Sequence, residues 1–468
     1  MTKFSGRIYS NKFMVRQDQI VGDIPSDKEV YKNAIEVAWP SAIEAVLVQL
    51  ISSADLIMVG ALGAAAISAV GITTQPRLIL LAVIFSLNIG VTAVVARRKG
   101  EDNREDANKA LRQSLVICGF LSLILSVLGI IYARPLIVFA GAQKEVVEIA
   151  VTYFRIICVG NFFTSLSLTI NAAQRGAGNT KISMKTNIAA NLVNLFFNFL
   201  LIKGHLGFPA LGVTGAAIAT AIGNIVGFLL SLKSITFAHE FLELRKKQSW
   251  KLEKEIISSV LGISSSAFVE QVFMRVGFFT TNKLVAGLGT ISYATHQICV
   301  NIMSISFAFG DGLGIAASAL VGQSLGAKRS DLATIYGKSL QRIALTVGLI
   351  FVFIFLFGGS FLVSLFTDDA AVIAAGATIM LTIAATAPIQ SSNVVVGGIL
   401  RGAGDTKFVA ITSFLSIGLV RPGATWLFCY PLGFGLIGAW FAFGTDQVLR
   451  LFINYMRFLK GGWTKIKV

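Results

Sequence analysis

The chain has 468 residues, of which 54% are hydrophobic and 14% are charged, and its mean hydropathy is +0.74. Soluble proteins carry about 25% charged residues, so this composition excludes an ordinary soluble globular fold and predicts a membrane protein. The formal net charge is +16. Positive loops on the cytoplasmic side and anionic headgroups account for that charge better than nucleic acid does.

Long apolar runs recur from residue 34 to residue 459. About 20 apolar residues in a helix cross a bilayer, and lipid offers exposed backbone groups no hydrogen-bond partner, which favours helices. We therefore predict an all-α polytopic membrane protein. Its twelve transmembrane helices are expected at about residues 34–58, 66–96, 110–133, 145–170, 182–202, 209–236, 258–285, 291–322, 337–358, 371–398, 408–430 and 435–459.

Lysine and arginine concentrate in both tails and in the loops after the second and sixth spans. Cytoplasmic loops carry such an excess, so both termini are predicted in the cytoplasm of a multi-pass plasma membrane protein (the inner membrane in a bacterium). The charges between spans six and seven predict a short amphipathic helix along the headgroups. The predicted organisation is a cytoplasmic N-terminal tail, an N-lobe of six spans, a cytoplasmic linker, a C-lobe of six spans and a cytoplasmic C-terminal tail, at 1–33, 34–236, 237–257, 258–459 and 460–468.

An internal repeat organises the chain. The stretch QRGAGNTK at 174–181 returns as LRGAGDTK at 400–407, an offset of 226 residues. The same offset takes Glu44 to Glu270 and LGF at 206–208 to LGF at 432–434, without a gap. Each copy holds six spans, so the two halves enter the membrane in the same direction. Such parallel repeats predict a site between them near mid-bilayer.

The repeated RGAG loops are predicted to be structural turns. Glycine tolerates the positive φ that tight turns need, and Asn179 and Asp405 are placed to cap the helices that follow. No Walker motif, metal-ligand cluster or nucleophile elbow occurs in the sequence, which argues against an enzyme. The four cysteines lie within spans and are expected to be buried small side chains, at positions 118, 158, 299 and 429.

Three motifs in combination resemble the multidrug and toxic compound extrusion (MATE) transporters. They are ADLIMVGALG at 54–63, the two RGAG loops, and HQI at 296–298 followed by GIAASALVGQSLGA at 314–327. The resemblance covers nearly the whole chain. It implies two six-helix lobes in a V shape that export organic compounds against entry of Na⁺ or H⁺.

Asp55 is the first candidate for the cation site, because an ionisable group inside a span is costly and indicates function. Burial disfavours a lone charged carboxylate, which suits proton exchange, whereas Na⁺ needs several oxygen ligands. The resemblance places Asn194, Asn198 and Thr220 beside Asp55 as such ligands. One branch of the family has a second Asp where this chain has Asn198, whose amide carries no proton. The alternative is a structural role for Asp55 near the end of its span.

Glu270 is the second candidate for cation coupling, because the resemblance places a functional glutamate in this part of span seven. Other members add an acid in span ten, where this chain has Gln390. The repeat-related Glu44 is either a second functional carboxylate or one half of an ion pair. Arg275 is the partner expected for one of the two glutamates.

A central substrate cavity is predicted from polar residues within the spans. A histidine such as His296 can sense or relay protons near neutral pH, although one near a helix end is more often a hydrogen-bonded interfacial residue. Basic side chains facing the cavity without a partner would favour an anionic or zwitterionic substrate. The predicted cavity residues are Glu44, Arg77, Arg275, His296, Gln297 and Gln390.

These expectations describe a secondary antiporter that works as a monomer, without a cofactor other than its coupling ion. It would export small, amphipathic organic compounds in exchange for H⁺ or Na⁺ by alternating access of two lobes. One alternative is a lipid-precursor flippase or organic-anion exporter of the same superfamily. Another is a non-transporting membrane receptor.

Overall fold

The computed structural model describes residues 14–15, 17–237, 240–244 and 250–466, apart from the side chains of Ser53, Leu56 and Ala64. Within them, twelve helices are long and apolar enough to cross a membrane. The predicted fold class is thus confirmed. The helices are α1 (Asp27–Gly60), α2 (Ala64–Gly100), α3 (Arg104–Ile131), α4 (Lys144–Gly176), α5 (Thr180–Lys203), α6 (Gly212–Thr236), α7 (Lys254–Ala286), α8 (Thr290–Gly326), α9 (Ser330–Ser364), α10 (Ala370–Gly402), α11 (Thr406–Cys429) and α12 (Gly435–Lys460).

The first and seventh helices begin before their apolar runs. Helix α1 starts at Asp27, inside the segment predicted as a tail, and α7 starts at Lys254, inside the predicted linker. Acidic residues in the first turn favour a helix N-terminus, and α1 has Asp27 and Glu29 there. The Ser26 hydroxyl also accepts a hydrogen bond from the Glu29 backbone N–H at 3.3 Å. Polar residues therefore extend both helices beyond what hydropathy predicts.

The internal repeat is reproduced in the helices. The offset of 226 carries the bounds of α2, α4 and α5 residue for residue onto those of α8, α10 and α11. Turn residues with positive φ repeat as well: Gly63 and Gly289 have φ of 103° and 104°. The halves differ after α3, where a short helix (Ala133–Phe139) follows, while α9 continues unbroken. Helix α11 contains a π-helical segment, Phe414–Val420, which interrupts the regular α-helical pattern.

The RGAG loops form the predicted turns but not the predicted caps. Gly178 and Gly404 adopt φ of 91° and 88°, the region that favours glycine. Neither Asn179 nor Asp405 caps its helix through its side chain. The Asp405 carboxylate instead accepts a hydrogen bond from Arg457 Nε at 2.7 Å. The capping prediction was wrong because both side chains form hydrogen bonds with distant residues, Asn179 with Glu240 and Asp405 with Arg457.

Glycines allow the helices of each half to approach closely, as is common in membrane bundles. On α10, a Cβ at Gly402 would stand 2.2 Å from the Ser318 carbonyl oxygen of α8. The repeat-related crossing in the first half is similar: a Cβ at Gly176 of α4 would stand 2.6 Å from the Thr92 carbonyl oxygen of α2. Both crossings need a residue without a side chain.

Gly398→Ala tests this packing against a neighbouring control. A Cβ at Gly398 would lie 2.2 Å from the Gly314 carbonyl oxygen, whereas a Cβ at Gly397 would meet only the Arg401 guanidinium, at 3.5 Å. We expect Gly398→Ala to lower the free energy of unfolding by about 1–3 kcal/mol or more through overpacking. Gly397→Ala should be neutral or stabilising by up to about 1 kcal/mol. Thermal unfolding in detergent measures both; equal melting temperatures for the two variants would contradict the packing argument.

The chain folds into two compact units, residues 46–268 and residues 1–45 with 269–468. The repeat-related helices α1 and α7 are each divided between these units. The bounds of these two units differ from the bounds of the lobes, 34–236 and 258–459, that the repeat predicts. The lobe bounds stay a prediction. In the larger unit, buried residues of α8, α9 and α10 form the main core, including Val321, Leu340 and Ile399. The four cysteines are buried and unbonded, as expected.

The described residues 240–244, within the segment predicted as an amphipathic helix, are not helical and dock on the first half. Leu242 there is completely buried. Arg104 at the start of α3 donates to the Phe241 carbonyl oxygen at 3.1 Å and forms an ion pair with Glu243 at 3.1 Å. Backbone groups bound by side chains do not need a helix to satisfy them. Residues 238–239 and 245–249 lie outside the described residues.

Candidate functional site

The first half brings together the four side chains predicted for the cation site. Asn194 and Asn198 are four residues apart on α5 and share one face of that helix. Asn198 Nδ2 donates to Asp55 Oδ1, near the end of α1, at 2.8 Å. The Asn194 amide lies 3.1 Å from Thr220 Oγ1 on α6. Gly223 permits this approach of α6, because a Cβ there would stand 2.8 Å from the Cβ of Asn194.

The amide of Asn194 can face Asp55 in two orientations. Its nearer terminal atom lies 2.9 and 3.0 Å from the two carboxylate oxygens, and its other terminal atom lies 3.1 Å from the hydroxyl and the backbone nitrogen of Thr220. With nitrogen toward Asp55, the amide donates to the ionised carboxylate. With oxygen toward Asp55, the contact is favourable only when a proton or a cation lies between the two oxygens. The Asn194 amide can therefore rotate to match the charge state of Asp55.

Asp55 is held by neutral groups. Asn194 and Asn198 are 5% and 1% exposed, and Asp55 itself is half-buried. Within the described part of the chain, no basic side chain forms an ion pair with Asp55. A carboxylate that is neutralised by a fixed arginine keeps its charge, whereas one held by amides can take up a mobile counter-charge. This arrangement suits exchange of H⁺ or Na⁺.

A cavity of ≈ 340 Å³ adjoins this site, and Asn198 forms part of its wall. Its other lining residues are mostly apolar, with basic groups at one end. The His205 ring stacks on Phe199 with 4.2 Å between ring centroids. Sequence analysis did not single out Lys203 or His205, although basic residues just beyond a span were a usable signal. The cavity is lined by Ile57, Met58, Asn198, Phe199, Lys203 and His205, among others.

In the second half, Glu270 has a partner that the sequence did not predict. Arg401 Nη2 lies 2.6 Å from Glu270 Oε1, and the Ser413 hydroxyl donates to the same oxygen at 3.3 Å. Glu270 is 1% exposed. The expected partner Arg275 forms no ion pair with Glu270. Gln390 is also buried, and among the described residues neither of its amide atoms has a hydrogen-bond partner, Glu270 included.

A second ionic cluster lies between α11 and α12. Asp446 is completely buried and forms ion pairs with Arg421 and, at 3.3 Å, with Arg450. The Arg421 guanidinium also lies over the rings of Phe278 and Phe443, 4.8 and 5.1 Å from their centroids. Such cation–π contacts stabilise a buried arginine. Two arginines inside the spans are thus paired with one buried acid.

His296 is buried rather than interfacial, with 8% of its surface exposed. Its Nε2 lies 3.2 Å from Asn282 Oδ1, and its ring packs against Trp440 at 5.3 Å between centroids. The neighbouring Gln297 donates to the Tyr293 hydroxyl at 2.9 Å, one turn earlier on α8. The two side chains therefore have local partners, and their role in a substrate cavity stays a prediction.

Two other predicted cavity residues are shielded from solvent: Arg77 is partly buried and Glu44 is buried. Arg77 Nε donates to Asn161 Oδ1 at 3.1 Å, which gives the guanidinium a neutral partner. Glu44 is 9% exposed. A buried charge indicates either function or pairing, so the structural and functional interpretations of Glu44 both stand.

Two homologous six-helix halves with ionisable groups inside their helices are typical of polytopic membrane transporters. Two curated relatives support this class. The chain is 29% identical over 444 residues to the probable multidrug resistance protein NorM of Thermotoga maritima, covering 93% of this chain and 94% of that protein. It is 26% identical to the uncharacterized transporter YisQ of Bacillus subtilis, covering 94% and 96%.

The chain belongs to the MATE family: the family model MatE matches residues 40–200 and 266–427, one stretch in each half. Solved structures share the fold. An outward-facing multidrug resistance MATE transporter of the MOP superfamily gives a TM-score of 0.86 at 20% identity, covering 92% of this chain and 96% of that one. A MOP superfamily transporter from Pyrococcus furiosus Vc1 gives 0.86 at 21% identity, covering 94% and 97%.

Proposed function

We propose that the protein is a secondary antiporter that exports organic compounds in exchange for H⁺ or Na⁺. The observation that carries the proposal is Asp55, a half-buried carboxylate in a membrane-spanning helix that is held by two asparagines rather than by a basic residue. Alternating access can be driven only by ligands that bind the two states with different affinity. A carboxylate with a mobile counter-charge supplies that difference.

Both coupling ions suit the residues present. A proton on Asp55 would be donated to the Asn194 amide oxygen, across a distance of 2.9 Å. Na⁺ would draw on oxygens of Asp55, Asn194, Asn198 and Thr220, and the Asn198 amide would have to rotate because its nitrogen now faces Asp55. Asn198 Oδ1 is buried and has no hydrogen-bond partner among the described residues, so it is free to serve as that ligand.

We infer an amphipathic organic substrate that is cationic or neutral. Three arginines within the spans of the second half are engaged with carboxylates, which weakens the case for an anion exporter or a lipid-precursor flippase. These are Arg401 with Glu270, and Arg421 and Arg450 with Asp446. A relative named as a probable multidrug resistance protein supports organic compounds as substrates. Monomeric action in the plasma membrane with both termini in the cytoplasm completes the proposal.

The test is ethidium efflux from proteoliposomes with an imposed H⁺ or Na⁺ gradient. We expect wild-type protein to move ethidium outward with one gradient and not with the other, which identifies the coupling ion. Protein-free liposomes and an ionophore that collapses the gradient are the controls. If neither gradient moves ethidium through protein that elutes as a folded monomer, the antiporter proposal fails, and an anionic fluorophore should then be tested for the alternative exporter.

A further inference from the structure

A small cavity with polar lining residues lies inside the second half. Its volume is ≈ 80 Å³, and helices α7, α8, α10, α11 and α12 all contribute to its lining. At roughly 30 Å³ for each water molecule, it has room for two or three waters and none for an organic substrate. Its polar lining residues are Asp311, Asn393, Arg401, Ser413, Arg450 and Asn454.

Asp311 is a charged residue of this cavity whose carboxylate has no ion-pair partner among the described residues. It is exposed to the cavity, and within the described part of the chain it accepts no hydrogen bond and joins no ion pair. Arg401 and Arg450 line the same cavity, but each is engaged with another carboxylate, Glu270 and Asp446. Asn454 is 1% exposed and its Oδ1 has no partner among the described residues, so a buried acceptor also faces this space.

The two ion-pair clusters beside Asp311 carry an excess positive charge. Glu270 pairs with Arg401, and Asp446 pairs with both Arg421 and Arg450, so two carboxylates face three arginines. An ionised Asp311 offsets this excess, and a protonated Asp311 does not. Other charged residues on the surrounding helices include Glu44, Arg275, Lys338, Arg342 and Arg457.

The lining favours a proton as the ligand. A Na⁺ ion would be a third cation beside Arg401 and Arg450. A proton needs no coordination shell, and the cavity has room for waters that can deliver it. Among the described residues Asp311 has no ion-pair partner, whereas Glu270 is paired with Arg401 at 2.6 Å, so Asp311 can exchange a proton without breaking an ion pair.

The repeat adds an independent observation. The offset of 226 takes Asp311 back to Phe85 and takes Asp55 forward to Thr281. Asp55 and Asp311 therefore each lack an acidic counterpart in the other half, whereas Glu44 and Glu270 are repeated. We propose that Asp311 is a proton-exchange site of the second half in addition to Asp55, while Glu270 is the fixed ion-pair partner of Arg401.

Infrared difference spectroscopy between acidic and alkaline pH tests the proposal on the purified full-length chain. The carbonyl band of protonated carboxyl groups should disappear on raising the pH in wild type. Asp311→Asn should remove the contribution of one carboxyl group from that difference, and Asp311→Glu should restore a contribution at a shifted frequency. Asp55→Asn in parallel should remove a different component. Because the measurement reads protonation and not export, its result is separate from that of the ethidium experiment.

An Asp311→Asn difference spectrum that superimposes on the wild-type spectrum would overturn the proposal. If Asp311→Asn does not fold, the Asp311→Glu variant decides alone: the absence of any frequency shift relative to wild type would refute proton exchange at this position.

Discussion

Asp55→Asn should abolish gradient-driven ethidium efflux, reducing the rate to that of protein-free liposomes. Asparagine has the shape of aspartate but carries neither a proton nor a charge for Na⁺ at neutral pH. Its amide can still accept from Asn198 Nδ2, which now donates to Asp55 at 2.8 Å, and the Asn194 amide can rotate to match it. The fold should therefore persist, with the free energy of unfolding changed by no more than about 1.5 kcal/mol.

Two further variants make this prediction specific. Asp55→Glu keeps the charge one methylene away and should retain partial coupling. Thr220→Val removes a hydroxyl that lies 3.1 Å from the Asn194 amide. In a Na⁺-coupled protein it should raise the Na⁺ concentration needed for half-maximal efflux, whereas in an H⁺-coupled protein the driving-ion dependence should stay the same. Wild-type efflux by a well-folded Asp55→Asn protein would show that Asp55 is structural.

Glu270→Gln should lower the free energy of unfolding by about 3 kcal/mol. Removing one partner of a buried ion pair costs roughly 3–5 kcal/mol because the other charge is left uncompensated. The low end applies here, since the Arg401 side chain is 27% exposed while Glu270 is 1% exposed. Thermal or denaturant unfolding in detergent measures the loss. The double variant Glu270→Gln/Arg401→Gln should recover most of it, because no unpaired charge remains.

An exposed ion pair provides the matched control. Lys32 and Glu36 on α1 are 4.0 Å apart, with side chains 69% and 53% exposed. Exposed pairs contribute about 0–1 kcal/mol, so Glu36→Gln should change the stability little. A Glu270→Gln protein as stable as wild type that has lost coupling would instead support Glu270 as a cation-coupling residue, as the family resemblance predicts.

Much of the fold follows from the amino-acid sequence alone. Hydrophobic runs longer than a bilayer is thick can be satisfied only as helices, which is why twelve spans were predicted and confirmed. The repeat was visible because turn glycines such as Gly178 and Gly404 need a backbone conformation that other residues adopt at a cost. These properties are local to a helix or a turn, so they can be derived from neighbouring residues.

The partners of the charged residues were decided by the tertiary structure. Arg275 was expected to pair with one of the two glutamates, Glu44 or Glu270, yet Glu270 pairs with Arg401, 131 residues away. The Asp405 carboxylate binds Arg457 instead of capping its own helix. Only the structure shows that Asp311 lines a cavity between five helices together with Arg401 and Arg450, which form ion pairs with other carboxylates. Hydropathy determines which segments enter the membrane, but the rotation and crossing of the packed helices determine which side chains meet, and those depend on the whole bundle at once.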